Sequence, residues 1–167
     1  QNVDFSVLKS GMWESGLIKM VVKNESGAAA YLNASIGNLQ VAECSLITQG
    51  KVICSSRPFG RACIASDAPY QRKKNMEKMY GLQAARHTVA DDGELTFYIP
   101  LSFSCFESPS QMVDTNFSEK LNVRVRLAAA NTYADDGANP AVAVALSLVS
   151  MELVQVFRML PSDQEQM

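Results

Sequence analysis

Histidine is nearly absent from this sequence: His87 is the only one. A Ser-His-Asp or Cys-His group needs an imidazole to take the nucleophile's proton, so any such group would have to be built on that residue. His87 lies in Ala84-Ala85-Arg86-His87-Thr88 with no nucleophile-elbow motif nearby, and a surface or cap role is the simpler reading. A cupin-type metal centre, which sits in a β-sandwich but draws on several histidines, is disfavoured by the same count. Glycine-rich phosphate cradles are missing too, since Gly37, Gly50, Gly60 and Gly81 stand alone. These absences predict a protein that is not an enzyme and that carries neither cofactor nor metal.

Long apolar runs are also missing. None reaches the roughly 18 residues of a membrane helix, and the longest candidate, residues 138–149, contains Pro140 and alternates small with β-branched residues. No membrane partner is expected. Charge of one sign is scarce: the net charge of −2 leaves no global basic field to neutralise a nucleic-acid backbone. Close cysteine spacing is lacking as well. Cys44, Cys54, Cys63 and Cys105 allow two disulfides in three pairings, but none forms CxxC and a domain this long needs no staple. They read as free, mostly buried thiols in a reducing compartment. Gln1 to Leu8 has no basic region leading into an apolar stretch, so no signal peptide is expected there. The non-Met start fits either release from a longer precursor or numbering that begins after a missing segment. The sequons at Asn24, Asn33 and Asn116 matter only if the chain is secreted.

What is present is enough for one hydrophobic core. Apolar residues make up 47% of 167 residues, which excludes wholesale disorder and suits one domain better than two. Short stretches of period two dominate. Val3, Phe5 and Val7 alternate with polar neighbours, and Leu17 to Val22 is a compact β-branched run. Val41–Thr48 and Val52–Cys54 flank Gln49-Gly50-Lys51 as a hairpin would. Glu94 to Phe103 places Leu95, Phe97 and Ile99 on one face, with Pro100 marking an end, bulge or edge. In Leu121 to Leu127 the apolar residues interleave with Asn122, Arg124 and Arg126, the pattern of a sheet with one wet side. A turn-rich stretch then leads to Val142, Val144, Leu146 and Leu148, a strand that can continue to Phe157. The one good helical stretch is residues 68–85. The expectation is an all-β fold: an antiparallel eight-stranded sandwich with one or two short connecting helices, a single domain over 1–160, and a frayed polar tail over 161–167.

Few charged groups invite a functional reading. Asp91-Asp92 and Asp135-Asp136, each followed by Gly, have the oxygens a calcium ion takes, yet Asp-Asp-Gly is also ordinary turn chemistry, which we favour. Arg72, Lys73 and Lys74, with Lys78, form a local basic cluster that suits an RNA or acidic surface and equally a solvated helix face. Arg124 and Arg126 project from one side of their strand toward a partner subunit, packaged nucleic acid or solvent.

Three short stretches resemble known proteins. Trp13-Glu14-Ser15-Gly16-Leu17-Ile18 is similar to the lead-in of a capsid strand in picorna-like plus-strand RNA viruses. Gly93-Glu94-Leu95-Thr96-Phe97-Tyr98-Ile99-Pro100 is similar to the segment before the last strands of those coat proteins. In size and in its Gln-rich ends the chain most resembles a small secovirus coat protein of the cheravirus kind, cut from a polyprotein. That resemblance implies a jelly roll that assembles with sister coat proteins into an icosahedral shell around RNA, formed in the host cytoplasm and residing in the virion, with only weak local RNA contacts. Ile99-Pro100-Leu101-Ser102-Phe103 also resembles an I-P-L-P-F stretch of double jelly-roll capsid proteins of DNA viruses, of which this chain would be one half. A third reading is a cellular or secreted interaction module of the C1q or TNF kind.

Overall fold

The computed structural model describes residues 1–32, 39–67, 69–71, 74–75, 79, 87–106, 112–116, 120–128, 134–135, 144 and 146–158. Eight strands make two antiparallel four-stranded sheets. The first has the order β1 (Asn2–Ser6), β9 (Leu121–Leu127), β4 (Val41–Thr48), β5 (Lys51–Ser56). The second has the order β11 (Leu146–Arg158), β2 (Met12–Asn24), β7 (Glu94–Pro100), with β8 (Val113–Asp114) pairing the start of β2. A small third sheet joins β10 (Ala134–Asp135), β3 (Ala30–Leu32) and β6 (His87–Val89). Apart from the β4–β5 hairpin, the long strands alternate between the two large sheets along the chain, which is the crossing pattern of a jelly roll.

The core lies between the two large sheets. From the second sheet come Trp13, Ile18, Met20, Val22, Phe97 and Ile99, continued by Leu101 and Phe103; from the first come Cys44, Leu46, Leu121, Val123 and Val125. Period two dictates this sorting, because alternate side chains of a strand point to opposite faces. In β9 the leucines and valines go inward while Arg124 and Arg126 are exposed, as the alternation predicts. In β7 the predicted face, Leu95, Phe97 and Ile99, is the inward one, and the strand ends at Pro100 on the sheet edge. The hairpin is tighter than predicted: Lys51 already belongs to β5, and Gln49-Gly50 alone turn the chain, both at positive φ.

Three boundaries differ from the sequence reading. β2 spans thirteen residues rather than six, because Glu14, Ser15 and Gly16, which look like a turn, are held between β11 and the chain past β7. β11 begins at Leu146, so Val144 lies outside it, and the predicted Val142 falls outside the described residues. Helix α1 (Pro58–Asp67) was not expected, since Gly60 and its scattered apolar residues give no clear stripe. Pro58 opens it, where a missing N–H does no harm. Arg61 is fully buried in it, donating from Nη1 to the Ser56 carbonyl at 3.1 Å and from Nη2 to the Val41 carbonyl. Of the predicted helix over 68–85, Tyr70, Gln71, Lys74, Asn75 and Met79 are described and helical.

Candidate assembly surfaces

The outside of the first sheet is charged. Asp4 of β1, Arg124 of β9 and Ser45 of β4 share one cross-strand row; Arg126 and Glu43 share another. Arg124 grips Asp4 with both arms, Nε to Oδ1 at 2.7 Å and Nη2 to Oδ2 at 2.9 Å. This hydrogen bonding holds the Asp4 carboxyl below, and the Arg124 guanidinium above, their ordinary values. Arg126 reaches Glu43 at 3.1 Å, and Arg57 reaches the same carboxylate at 3.7 Å. Both predicted arginines of β9 therefore point outward, but each has an acid from a neighbouring strand beside it. What this face offers a partner is a set of compensated pairs rather than a positive patch.

The outside of the second sheet carries exposed apolar residues among polar ones. Rows run across it as Val154 beside Leu17, Glu152 beside Lys19 and Tyr98, and Ser150 beside Val21 and Thr96. Tyr98, Val149, Val154 and Val156 are all at least 39% exposed, more than a scattered surface valine would explain. Ion pairs lie among these residues: Lys19 meets Glu152 at 3.4 Å between the Val154 and Val21 rows, and Arg158 meets Glu14 at 2.8 Å beyond Val156. A second apolar spot lies at the opposite edge, where Val52, Ile53 and Phe59 are exposed, Phe59 by 81%.

At one end of the sandwich Asn24 ties two loops together. Its Nδ2 donates to the carbonyls of Ala28, Val89 and Ala90 at 2.7, 3.2 and 3.2 Å, and its Oδ1 accepts from the Ser26 hydroxyl at 2.7 Å. With no exposed surface, this sequon asparagine cannot take a glycan in the folded chain. Asn33 lies outside the described residues and Asn116 is exposed. The Asp91-Asp92-Gly93 stretch is the turn that chain chemistry favours. Asp92 sits at φ 59°, and an added Cβ on Gly93 would meet the Ala90 carbonyl at 2.9 Å. The Asp91 carboxylate accepts from the Gly27 amide at 2.9 Å and Asp92 pairs with Lys23 at 2.7 Å. Asp135 lies in β10; Asp136 is outside the described residues.

The Trp-Glu-Ser-Gly motif has a packing role. Trp13 is fully buried, its Nε1 donates to the Ser15 carbonyl at 2.8 Å, and its ring meets Phe106 edge-on at 4.9 Å. A Cβ on Gly16 would lie 3.3 Å from that ring and 3.1 Å from Leu101, so the glycine leaves room for both. The Leu101 amide donates back to the Gly16 carbonyl at 2.9 Å, which joins the Trp13–Ile18 stretch to the Ile99–Phe103 stretch.

None of the four cysteines forms a disulfide, and only Cys44 is fully buried, which pushes its thiol up to about 11. Cys63 is exposed, against expectation, because it lies on the outer side of the unforeseen α1. Cys54 and Cys105, both half-buried, hydrogen bond to each other, which lowers Cys105 and raises Cys54.

Of the predicted contact residues, Arg124 and Arg126 share one face, while Arg72, Lys73 and the accompanying Lys78 fall outside the described residues. Lys74 is exposed and places its Nζ 4.7 Å from the centre of the Tyr70 ring. The exposed apolar residues of the second sheet were not foreseen. Their signal was the second phase of alternation in β2 and β11, with Leu17, Val21, Val154 and Val156 falling opposite the core residues. Among the described residues, no group of three or more His, Cys, Asp or Glu side chains gathers as metal ligands would.

No protein-family model matches the sequence, and no curated protein does. Solved structures do match. PBCV-1 VP54, in a crystal structure fitted into a cryo-EM reconstruction of the virophage Sputnik, superposes with a TM-score of 0.69 at 14% identity, over 99% of this chain and 40% of that one. A chain of the quasi-atomic PBCV-1 capsid gives 0.58 at 13% identity, again over 99% and 40%. This chain thus spans about 40% of the length of these neighbours. Its fold is the antiparallel jelly-roll sandwich, shared with viral capsid proteins.

Proposed function

We propose that this chain is a structural subunit of a viral capsid and not an enzyme, acting through one jelly roll over residues 1–160. The observation that carries the reading is the superposition of nearly the whole chain on capsid proteins. The physics of the surface agrees with it. Two sheets packed face to face make a rigid block, and the exposed apolar residues of the second sheet give that block something to bury against neighbours. Many weak contacts repeated by symmetry then hold a closed shell. The partners are other capsid chains, and the location is the virion, reached by assembly in the host cytoplasm.

The finer identity has two readings. In one, the chain is half of a double jelly-roll capsid protein of a DNA virus. Its 40% span of the neighbours and the burial of Ile99, Leu101 and Phe103 support this reading. In the other, it is a polyprotein-derived coat protein of the picorna-like, secovirus kind enclosing RNA in an icosahedral shell, which the Trp13–Gly16 packing supports. In either case Arg124 and Arg126, beside Asp4 and Glu43, make only local contributions to nucleic-acid contact, as does the cluster Arg72, Lys73 and Lys74. A glycan at Asn24 or Asn33 would favour a secreted C1q-like or TNF-like module, and the buried Asn24 removes one of those two sites.

The test is sedimentation and electron microscopy of the chain co-expressed with its sister coat proteins. Particles are expected, and they should persist without genome and through modest salt, since buried apolar contacts are screened little. A strictly monomeric species at every concentration, with those partners present, would overturn the reading.

A further inference from the structure

Strand β11 is thirteen residues long and lies at the edge of its sheet; among the described residues it pairs with β2 and with nothing else. A long edge of this kind offers a row of backbone donors and acceptors to another strand, and proteins that leave it unused blunt it with lysine, proline or a bulge. β11 contains no lysine or proline. Its own bulge is at Val149, so residues 150–156 run unbroken beside β2. Along the same stretch Glu152, Val154, Val156 and Arg158 point outward, and Val154 and Val156 are 40% and 48% exposed.

We propose that a second copy of this chain docks on this edge, the two β11 strands pairing antiparallel about a two-fold axis at Gln155. The register follows from the side chains. Centred on Gln155, antiparallel pairing sets Glu152 opposite the mate's Arg158, Val154 opposite Val156, and Leu153 opposite Phe157. A centre on Val154 instead sets Glu152 against Val156 and Arg158 against Ser150, leaving both charges unmatched. A centre on Leu153 sets Glu152 against Val154. The Gln155 register alone among these matches charge to charge and valine to valine, and the two-fold axis makes each match twice.

The pairs already present within the chain strengthen the match. Lys19 meets Glu152, and Arg158 meets Glu14. Across the axis these join as Lys19, Glu152, the mate's Arg158 and the mate's Glu14, a row of alternating sign. Inside the sandwich, the Oε1 of Gln155 accepts from the Leu8 amide at 3.2 Å, while its Nε2 is buried without a hydrogen-bond partner. Directly opposed residues on one face lie about 5 Å apart at Cβ, so the two Gln155 amides come within reach of each other at the axis and the orphaned donor gains an acceptor. The joined sheet is six strands wide, β7-β2-β11 followed by its symmetry mate. Its outer surface brings together Leu17, Val154 and Val156 of both copies.

This pairing rests on the reading of the chain as a shell subunit, and the experiment separates the two. The full chain is purified and its dimerisation followed by sedimentation, with circular dichroism confirming that each variant folds. Glu152→Arg or Arg158→Glu alone is expected to weaken the dimer about tenfold, since two opposite-charge pairs become like-charge pairs; the double swap, made with Lys19→Glu and Glu14→Lys so that the pairs within each chain are kept, is expected to restore it. Val154→Cys combined with Val156→Cys, in a Cys63→Ser background, is expected to yield an interchain disulfide when glutathione disulfide accepts the electrons of the two thiols. A dimer that persists in Val154→Lys, or a double swap that restores nothing, overturns the pairing. A wild-type chain that is monomeric alone but enters particles with sister proteins overturns the pairing and leaves the capsid reading standing. A dimer with the predicted cross-link that never enters particles keeps the pairing and removes the capsid reading.

Discussion

The sheet β1-β9-β4-β5 turns Asp4, Glu43, Arg124 and Arg126 outward, whereas the sheet β11-β2-β7 turns Leu17, Val21, Tyr98, Val154 and Val156 outward. Both obey the same period of two, so the difference lies in what occupies the second phase. On the first sheet that phase is filled with acids and bases that compensate one another across strands, which suits a surface that stays in water. On the second it mixes Lys19, Glu152, Ser150 and Thr96 with β-branched and aromatic residues, Val154, Val156 and Tyr98, that stay at least 39% exposed. The strands β1, β9 and β4 therefore present mostly paired charge, while β11 presents exposed valines beside its ion pairs.

The sharpest way to break this contrast is to exchange inside for outside on β9. Val125→Asp places an unpaired charge in the core, where Val125 has no exposed surface, and is expected to abolish soluble folding. Arg124→Ala, one residue away, is expected to fold normally. Solubility and circular dichroism decide it: if Val125→Asp folds and Arg124→Ala does not, the sheet faces the other way. Next in size is Trp13→Ala, expected to cost about 3–5 kcal/mol in denaturant unfolding, because the ring fills the space beneath Gly16, Leu101 and Phe106. Asn24→Ala is expected to cost about 1–3 kcal/mol by stranding the Ala28, Val89 and Ala90 carbonyls. Mass mapping of the chain expressed in a glycosylating host should find Asn24 unmodified; a glycan there would show that the hub does not form.

Much of the fold was legible because alternation is a strong local signal where one side is dry. β9 and β7 read correctly face by face, and Gln49-Gly50 announced its hairpin. The length of β2 was not legible: Gly16 breaks the pattern locally, and only Trp13 and Leu101, distant in sequence, explain why it sits in a strand. Helix α1 was hidden for a related reason, since its buried Arg61 looks like a surface residue until Val41 and Ser56 supply carbonyls for it. The candidate site was the least legible part. Arg124 and Arg126 were visible as outward cations, but their acids come from β1 and β4, far away in the sequence. The exposed apolar residues of the second sheet share one surface only once three strands lie side by side.

The smallest expected effect distinguishes a face of paired charge from a merely charged one. Hydrogen bonding from Arg124 holds the Asp4 carboxyl below 3.8, so the folded chain binds that proton less readily than the unfolded chain. The pair's contribution is therefore fully present above the ordinary carboxylate value and disappears as the pH falls through the lower, folded one. Both side chains are about half exposed, so water and salt screen the pair and its effect on stability is small. Unfolding midpoints of the wild type and Arg124→Ala should differ slightly at pH 6 and converge as the pH falls below the ordinary carboxylate value and through the lower, folded one. Raising the salt at pH 6 should narrow the same gap. Val154→Thr offers the contrast on the other sheet: its effect on dimerisation should change little over this pH range, because no proton is involved. A difference between wild type and Arg124→Ala that is constant from pH 6 to pH 2 would show that Arg124 acts through the packing of its stem over β9, and the charged face would then owe its stability to contact rather than to paired charge.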